Sequence, residues 1–534
     1  MAKQERPGAT SEREKTQKYA LLSVSDKTGI VDLARTLDSL GFRIISTGGT
    51  AKALTDAGLG VIPIEDVTGN PESFDRRMKT ISFQVESGIL YDRTNPSHVQ
   101  QAKDLGIKSI DLVVCNLYPF EKTVGGPDST FDQAVESIDV GGPTMVRAAA
   151  KNHKNVLVVV DPADYKKIAE TLTTGLVTNE LRQELAAKAF RHLSFYDAQI
   201  GEFLGNGEMY PEEIALPGRR SITLRYGENP HQTATVYFEP GTDSPLTKLN
   251  RLGGKELGYV NFFDIAAGLE SVRMFDEPCA VVIKHNTPSG IALGNSYYEA
   301  IIRAVEGDGQ SAFGGIMVVN GPIGIEEARA FAEFKKGSGV LMDVLAATSV
   351  TDEAVEFLLK LRKNQTGIYS FGEIPQKRSN QRHIRHFDGG FVMQDWDDDP
   401  EGSFDNWNPV TIKKFTPEQT RLGQFGWKVI GRVRSNTVIV IDKEIPMTRG
   451  IGSGQTSRVL STEIALKRAG PHTKGGILVS DSFFPFGDSV KLAAKRGIAA
   501  IVQQGGSNRD NASIEAANKA GVAMVFTGKR AFWH

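Results

Sequence analysis

Residues 19–50 read YALLSVSDKTGIVDLARTLDSLGFRIISTGGT. The stretch opens on a six-residue run that is almost wholly apolar, 19–24, and a second apolar run follows at 42–45. Neither alternates regularly as a strand with one wet face does, and mainly apolar runs of this kind, broken here only by Ser23 and Arg43, mark strands of a parallel sheet covered by helices on both faces. Between them, Ile30, Leu33, Ala34 and Leu37 fall on one side of a helix of 3.6 residues per turn spanning 30–40. Strand, helix and strand in that order predict a parallel α/β unit. The pattern continues outward, with strands expected at 61–64, 112–116 and 156–160, helices at 50–57 and 131–137, and a closing helix at 179–200.

Segment 201–220 is rich in Gly, Pro and charge, has no period, and reads as a linker. The expected organisation is a disordered tail at 1–18, a first domain at 19–200, that linker, and a second α/β region at 221–534. Strands of the second region are expected at 280–283, 315–319, 438–441, 477–480, 499–502 and 522–526. There is no convincing sequence repeat, yet the strand-to-loop transitions at Lys284 and Asp481 suggest two similarly built halves. With 534 residues the chain is too long for one core. Its 62 basic and 64 acidic residues leave a net charge of −2, which gives no general attraction to nucleic acid or to anionic lipid. Cys115 and Cys279 lie inside apolar runs and read as reduced, buried thiols. No run is long enough to span a membrane, so the expectation is a cytoplasmic protein without membrane or nucleic-acid partners.

Two loops carry the first region's chemistry. Ser25-Asp26-Lys27-Thr28-Gly29 and Ser46-Thr47-Gly48-Gly49-Thr50 each follow a strand and precede a helix. Hydroxyls, glycine amides, a helix amino terminus and the Lys27 cation suit a phosphate, although each loop taken singly reads equally well as a helix cap. No Gly-x-x-x-x-Gly-Lys-Ser/Thr occurs, which excludes a P-loop triphosphatase.

In the second region, Ala280-Val281-Val282-Ile283 runs into Lys284-His285, with Pro288 and Gly290 expected to break the strand just beyond. A base whose pKa lies near neutrality thus stands next to a cation able to meet a developing oxyanion. The alternative is a lysine solvating a strand end beside a packed histidine. Gly450-Ile451-Gly452-Ser453-Gly454 lacks the dinucleotide spacing. The basic run 377–386 reads as a solvated loop, and His383-Ile384-Arg385-His386 has no partners for a metal site.

Further blocks fall in a recognisable order. Arg77-Met78-Lys79-Thr80, Asn116-Leu117-Tyr118-Pro119-Phe120, Ile138-Asp139-Val140-Gly141-Gly142-Pro143 and Arg147 to His153 resemble the N-terminal, methylglyoxal-synthase-like domain of the bifunctional AICAR transformylase/IMP cyclohydrolase family. Arg225-Tyr226-Gly227-Glu228-Asn229-Pro230-His231-Gln232, the Lys284-His285 loop, Ser311 to Gly315, Ser435-Asn436, Gly452 to Arg458, Ser480 to Phe486 and Thr527 to Arg530 resemble its transformylase region. The resemblance implies an α/β fold with a parallel-sheet N-terminal domain and cytidine-deaminase-like α/β subdomains behind it. It implies formyl transfer from 10-formyltetrahydrofolate to AICAR, closure of the product to IMP, and a homodimer. By the same carry-over, Lys284, His285 and Asn436 are catalytic for transfer, and Lys79, Tyr118, Asp139 and Lys151 for closure. Ser25, Lys27, Ser46, Thr47, Gly48, Gly49, Thr50 and Arg77 fall on the closure site's substrate positions. Arg225, Tyr226, His231, Gly315, Asp343, Arg458, Asp481, Arg530 and Phe532 fall on those of the transfer site, with Asp481 at its folate end.

The family's departures are informative. After the catalytic lysine it usually continues Lys-Thr-Leu-His-Pro-Lys-Ile-His-Gly-Gly, whereas this chain has Lys79-Thr80-Ile81-Ser82-Phe83-Gln84-Val85-Glu86-Ser87-Gly88 and neither histidine. The alternative expectation is therefore a transformylase whose first domain only binds nucleotide or regulates. A zinc deaminase site needs a Cys-x-x-Cys pair, which this chain lacks, so no catalytic metal is expected.

Overall fold

The computed structural model describes residues 17–534 apart from 75–76, 125–129, 333–341, 376–377, 379–381 and 399–400. The chain forms two compact units, Met1–Gly218 with Glu239–Gly241, and Arg219–Phe238 with Thr242–His534.

The first unit is built on one parallel sheet of five strands: β1 (Lys18–Val24), β2 (Phe42–Ser46), β3 (Val61–Pro63), β4 (Ile110–Asn116) and β5 (Leu157–Val159). Their order is β3-β2-β1-β4-β5, with every pairing parallel. The strand centres are hydrophobic because helices cover both faces, and Leu21, Ile45, Val113 and Val158 are almost wholly buried, while Lys18, Arg43 and Asp111 lie near strand starts. The direction of strand addition reverses between β1 and β4, which opens a crevice at their carboxyl ends. Two expected boundaries shift. Lys18 already belongs to β1, and Gln17 donates from Nε2 to the Gly41 carbonyl at 2.9 Å, so only residues 1–16 of the expected tail lie outside the described residues. The closing helix Asn179–Leu204 runs four residues into the expected linker, because Phe203 finds ring partners in Phe120 at 5.5 Å and Phe131 at 5.2 Å.

The second unit opens with the hairpin β6 (Arg219–Leu224) and β7 (Ala234–Phe238). A sheet of β8 (Asn250–Gly253), β9 (Cys279–Lys284), β10 (Thr287–Leu293), β11 (Ile316–Ile323), β12 (Val344–Val350) and β13 (Gly367–Ser370) follows, in the order β10-β9-β11-β12-β13-β8. A hairpin, β14 (Arg382–Phe387) and β15 (Gly390–Asp395), separates it from a sheet of β16 (Asn408–Pro409), β17 (Val438–Ile441), β18 (Thr448–Gly452), β19 (Ile477–Ser480), β20 (Ala500–Gln503) and β21 (Ala523–Phe526). That sheet has the order β18-β17-β19-β20-β21-β16. Both are mixed: three strands run parallel, while the other pairings are antiparallel.

The two sheets have one topology, strand for strand and helix for helix. Ile283 pairs Ile316 in the first half as Ile441 pairs Ile477 in the second. The correspondence reaches side chains, since Cys279 donates its amide to Asn320 Oδ1 at 2.8 Å and Thr437 donates its own to Asp481 Oδ2 at 3.0 Å. It also corrects the expected pairing of transitions: Lys284 ends the strand matched by β17, whereas Asp481 matches Asn320. Pro288 and Gly290 do not break the chain but lie within β10. β10 is an edge strand of its sheet, where a proline is tolerated. Gly290 is required because a Cβ there would stand 2.1 Å from the Ala304 carbonyl oxygen of the helix Tyr297–Gly307.

Candidate active sites

At the carboxyl edge of the first sheet, Asn116 ties β4 to the loop after β1. Its Oδ1 accepts the Ser25 and Asp26 amides at 2.7 and 2.9 Å, and its Nδ2 donates to the Asp26 carbonyl at 3.0 Å. The second loop starts the helix Gly48–Asp56, whose first amides have no intrahelical acceptor. A Cβ on Gly48 would lie 2.8 Å from Lys79 Nζ, and one on Gly49 3.6 Å from Lys27 Nζ, so two cations converge on the helix amino terminus. Lys79 is also paired with Glu72 at 2.9 Å. A cleft of about 690 Å³ opens beside this loop, lined by Thr47, Gly49, Arg77, Lys79, Tyr118 and Asp139 among others.

Asp139 accepts the Gly142 amide at 2.9 Å and donates its own amide to the Tyr196 hydroxyl at 2.8 Å, and burial pushes its carboxyl above the usual carboxylate range. Arg77 is engaged by Glu136, with Nε 3.2 Å from Oε1. Three expected members face elsewhere. Ser46 donates to the Leu22 carbonyl at 2.7 Å and Thr50 to that of Val24 at 3.0 Å, so both hydroxyls lock β1 to the loop instead of meeting a ligand. Lys151 ends the helix Gly141–Lys151, whose Gly141, Gly142 and Met145 line the cleft, and is not itself among the lining residues.

In the second unit, the cation–imidazole pair lies where β9 turns into β10. His285 and Asn286 have φ of 55° and 58°, the left-handed pair of a two-residue hairpin turn. Lys284 Nζ donates to the Phe313 carbonyl at 2.8 Å, and His285 is exposed. The turn is pinned from below by Asp264, a 4% exposed carboxylate that accepts the Asn286 amide at 2.6 Å. Burial raises the Asp264 pKa, and its bonds to the Asn286 and His285 amides oppose the rise. Because β9 is antiparallel to β11, this turn lies at the amino-terminal edge of the parallel strands, opposite to the edge at which ligands usually enter such sheets.

Gly315 and Asp343 share that edge, since the Asp343 amide donates to the Gly315 carbonyl at 2.8 Å and its carboxylate pairs with Lys255 at 2.7 Å. Arg225 lies nearby, stacked 4.7 Å over the Tyr226 ring and donating to its hydroxyl at 2.9 Å. His231 is exposed on the turn that follows.

Asn436 is fixed at both ends: Nδ2 donates to the Gln455 carbonyl at 2.9 Å, and Oδ1 accepts from Arg458 at 2.7 Å. Arg458 also pairs with Asp481, which is wholly buried and accepts from Ser435 and from the Thr437 amide. The Asp481 carboxylate is thereby turned inward, which corrects the expectation that it meets the folate directly. The C-terminal tail clamps this loop through the Ala531 amide to the Asp481 carbonyl at 2.9 Å and the Ser435 amide to the Trp533 carbonyl at 2.8 Å. Arg530 lies 4.4 Å over the Phe532 ring.

β10 and β18 meet at an antiparallel bridge between Ala292 and Met447, reinforced by the Ile291 amide on Thr448 Oγ1 at 3.1 Å. β10 follows the His285 turn, and Gly452 at the end of β18 pairs with Val438, just after the Asn436 loop. No hydrogen bond or ion pair among the described residues links the two sets.

Sequence reasoning passed over Asp264 and Glu86. A lone carboxylate among apolar residues, Phe262-Phe263-Asp264-Ile265, was the available signal for the first. Glu86, on the helix Phe83–Leu90, stands in line with the family's second histidine, and burial pushes its pKa up to about 7.

Comparisons with known proteins agree with this picture. Residues 29–144 match the MGS-like domain model, and residues 149–468 match the AICARFT/IMPCHase bienzyme model. Relatives named Bifunctional purine biosynthesis protein PurH match nearly the whole chain. That of Shouchella clausii (strain KSM-K16) is 44% identical over 97% of this chain and 100% of its own. That of Persephonella marina (strain DSM 14350 / EX-H1) is 43% identical over 96% and 99%, and that of Streptococcus pyogenes serotype M12 (strain MGAS2096) 44% identical over 97% and 100%. No helix among the described residues is long and apolar enough to cross a membrane. With two family models in register along the chain and full-length relatives above 40% identity, the chain belongs to the AICARFT/IMPCHase bienzyme family.

Proposed function

We propose that the protein formylates the exocyclic amine of AICAR and then closes the formylated product to IMP, completing purine nucleotide synthesis. The observation that carries transfer is the His285–Lys284 turn, held in a left-handed conformation by a buried carboxylate. The AICAR amine is a poor nucleophile because its lone pair is delocalised toward the carboxamide. As its nitrogen bonds to the formyl carbon, His285 takes the amine proton, Lys284 meets the oxyanion, and collapse expels the folate nitrogen, which is protonated as it leaves. Asn436 orients the formyl oxygen through an amide already set by Arg458 and Gln455. The donor is a folate carrying a formyl group, specifically 10-formyltetrahydrofolate in this reading, and neither step calls on a metal. Arg225 and Arg530 take the nucleotide's phosphate.

For closure, the carboxamide nitrogen attacks the formyl carbon and the former formyl oxygen departs as water. Lys79 and Tyr118 serve the oxygen and Asp139 the amide, with the phosphate on Lys27 and the Thr47-Gly48-Gly49 amides. The alternative, a first domain without chemistry, is disfavoured because relatives matched over their full length are named bifunctional. In this reading the enzyme works in the cytoplasm as a homodimer, and sedimentation at micromolar concentration tests the dimer.

The deciding experiment mixes the protein with AICAR and 10-formyltetrahydrofolate and follows tetrahydrofolate, formyl-AICAR and IMP. Accumulation of formyl-AICAR without IMP would exclude closure, and no tetrahydrofolate would exclude both steps. A His285→Ala variant should lose transfer yet cyclise supplied formyl-AICAR. Equal loss of both steps in that variant, still folded, refutes the two-site assignment.

A further inference from the structure

The basic run read as a solvated loop is, from Arg382 onward, the β14–β15 hairpin, and it lies against the C-terminal tail; Lys377 falls outside the described residues. The His383 ring stacks on Trp396 at 4.2 Å and on Trp533 at 5.3 Å. Arg378 closes one end of this stack 3.9 Å over Trp396, and Arg385 approaches Trp533 at 5.6 Å. Burial and the neighbouring Arg385 and Arg378 cations hold His383 below its ordinary pKa, so the ring stacks in its neutral form. Aromatic stacking of this extent fixes the hairpin to the tail.

The charges divide unequally. Glu270 and Asp398 are consumed by Arg378 and Arg432. Arg385, Arg434 and Arg530 have no carboxylate partner among the described residues. Burial and the Arg434 charge both depress the Arg385 pKa, the mark of like charges set close together. Between hairpin and tail is a pocket of about 300 Å³ lined by His383, Arg385, Gln394, Arg530, Phe532 and Trp533. Two guanidinium forks on one small pocket suit a dianionic phosphomonoester better than a single carboxylate.

We propose that Arg385, carried by the hairpin, joins Arg530 at the phosphate of the transformylase's nucleotide and is a specificity-determining residue there. The proposal rests on the formyl-transfer reading above and on the phosphate role given there to Arg530. The aromatic stack sets the position of Arg385, so the hairpin is a wall of the substrate site and not a surface ornament.

The test is steady-state formyl transfer by the full chain and its Arg385→Ala and Arg385→Lys variants, with AICAR and its dephosphorylated nucleoside as acceptors and closure of supplied formyl-AICAR as the control. Arg385→Ala should raise KM for AICAR about 10- to 100-fold, the effect of one charge-assisted contact, with kcat nearly kept. Arg385→Lys should recover part of the loss, the nucleoside should be indifferent to either change, and closure should be unaffected. An unchanged KM for AICAR overturns the proposal, as does an equal loss with the nucleoside. A rise confined to the KM of the formyl donor also overturns it and assigns the pocket to the folate's carboxylates. Failure of the wild-type chain to release tetrahydrofolate defeats the underlying reading, and this one with it.

Discussion

The Glu86 carboxyl is half-buried, its buried Oε1 has no hydrogen-bond partner among the described residues, and burial moves the group from 4.5 to about 7. Between those values the folded chain holds a proton that the unfolded chain has released, so stability falls as pH rises from about 4.5 to 7 and is level beyond. With the side chain only partly buried, the loss is about 1–2 kcal/mol. Urea midpoints at pH 5 and pH 8 should show it, and Glu86→Gln should abolish the difference; a variant with the same slope refutes the assignment. Asp264 offers a second test. Each left-handed residue of the His285 turn costs about 1–3 kcal/mol, and the carboxylate beneath holds them there. Asp264→Ala should cut kcat for formyl transfer about 10- to 100-fold, Asp264→Asn less, and neither should alter closure; an unchanged pH–rate profile and kcat in Asp264→Ala would contradict the positioning role. Neither carboxyl was legible as functional in the sequence, because burial and the identity of the amides above it are properties of packing.

The matching halves of the second unit show how elements carry the repeat after the sequence has lost it. In each, a glycine lets a helix settle onto the sheet. A Cβ on Gly268 would stand 2.3 Å from Val318 Cγ2, and one on Gly426 2.7 Å from Val479 Cγ2. Gly268→Ala should destabilise the protein by about 1–3 kcal/mol, and Gly426→Ala by somewhat less, through overpacking. Thermal midpoints check the order, and a neutral Gly268→Ala would mean that the helix can lift without cost. The strands of unbroken apolar character, such as β9, β17 and β19, were plain in the sequence. β10, β13 and the β14–β15 hairpin were not, since Pro288, Gly290 and the charges of 382–386 are local signals for loops that pairing and stacking outweigh.

At the scale of the whole molecule, the core around Leu22, Val113 and Ile168 is confined to the first unit, and the three cores of the second are one shared by Val281 and Val479, one around Leu345 and one around Leu478. Leu22→Ala, which empties a fully buried position at a cost of about 2–5 kcal/mol, should shorten the heat-inactivation half-life of closure and spare that of formyl transfer. Parallel loss of both activities on heating would show that the units fail together. The sequence by itself determined the α/β class, the parallel first sheet and the membership signalled by ordered motifs, because apolar periodicity and short polar motifs are local and survive without coordinates. It also offered Lys284-His285 as a base beside a cation. Only the tertiary structure decided which side chains share a site. It set Lys151 at the opposite end of a helix from Asp139, turned Asp481 inward onto Arg458, put Asp264 under the His285 turn and brought Arg385 to Arg530. Those outcomes depend on strand register, helix length and burial, which join residues far apart in the chain and leave no local trace in it.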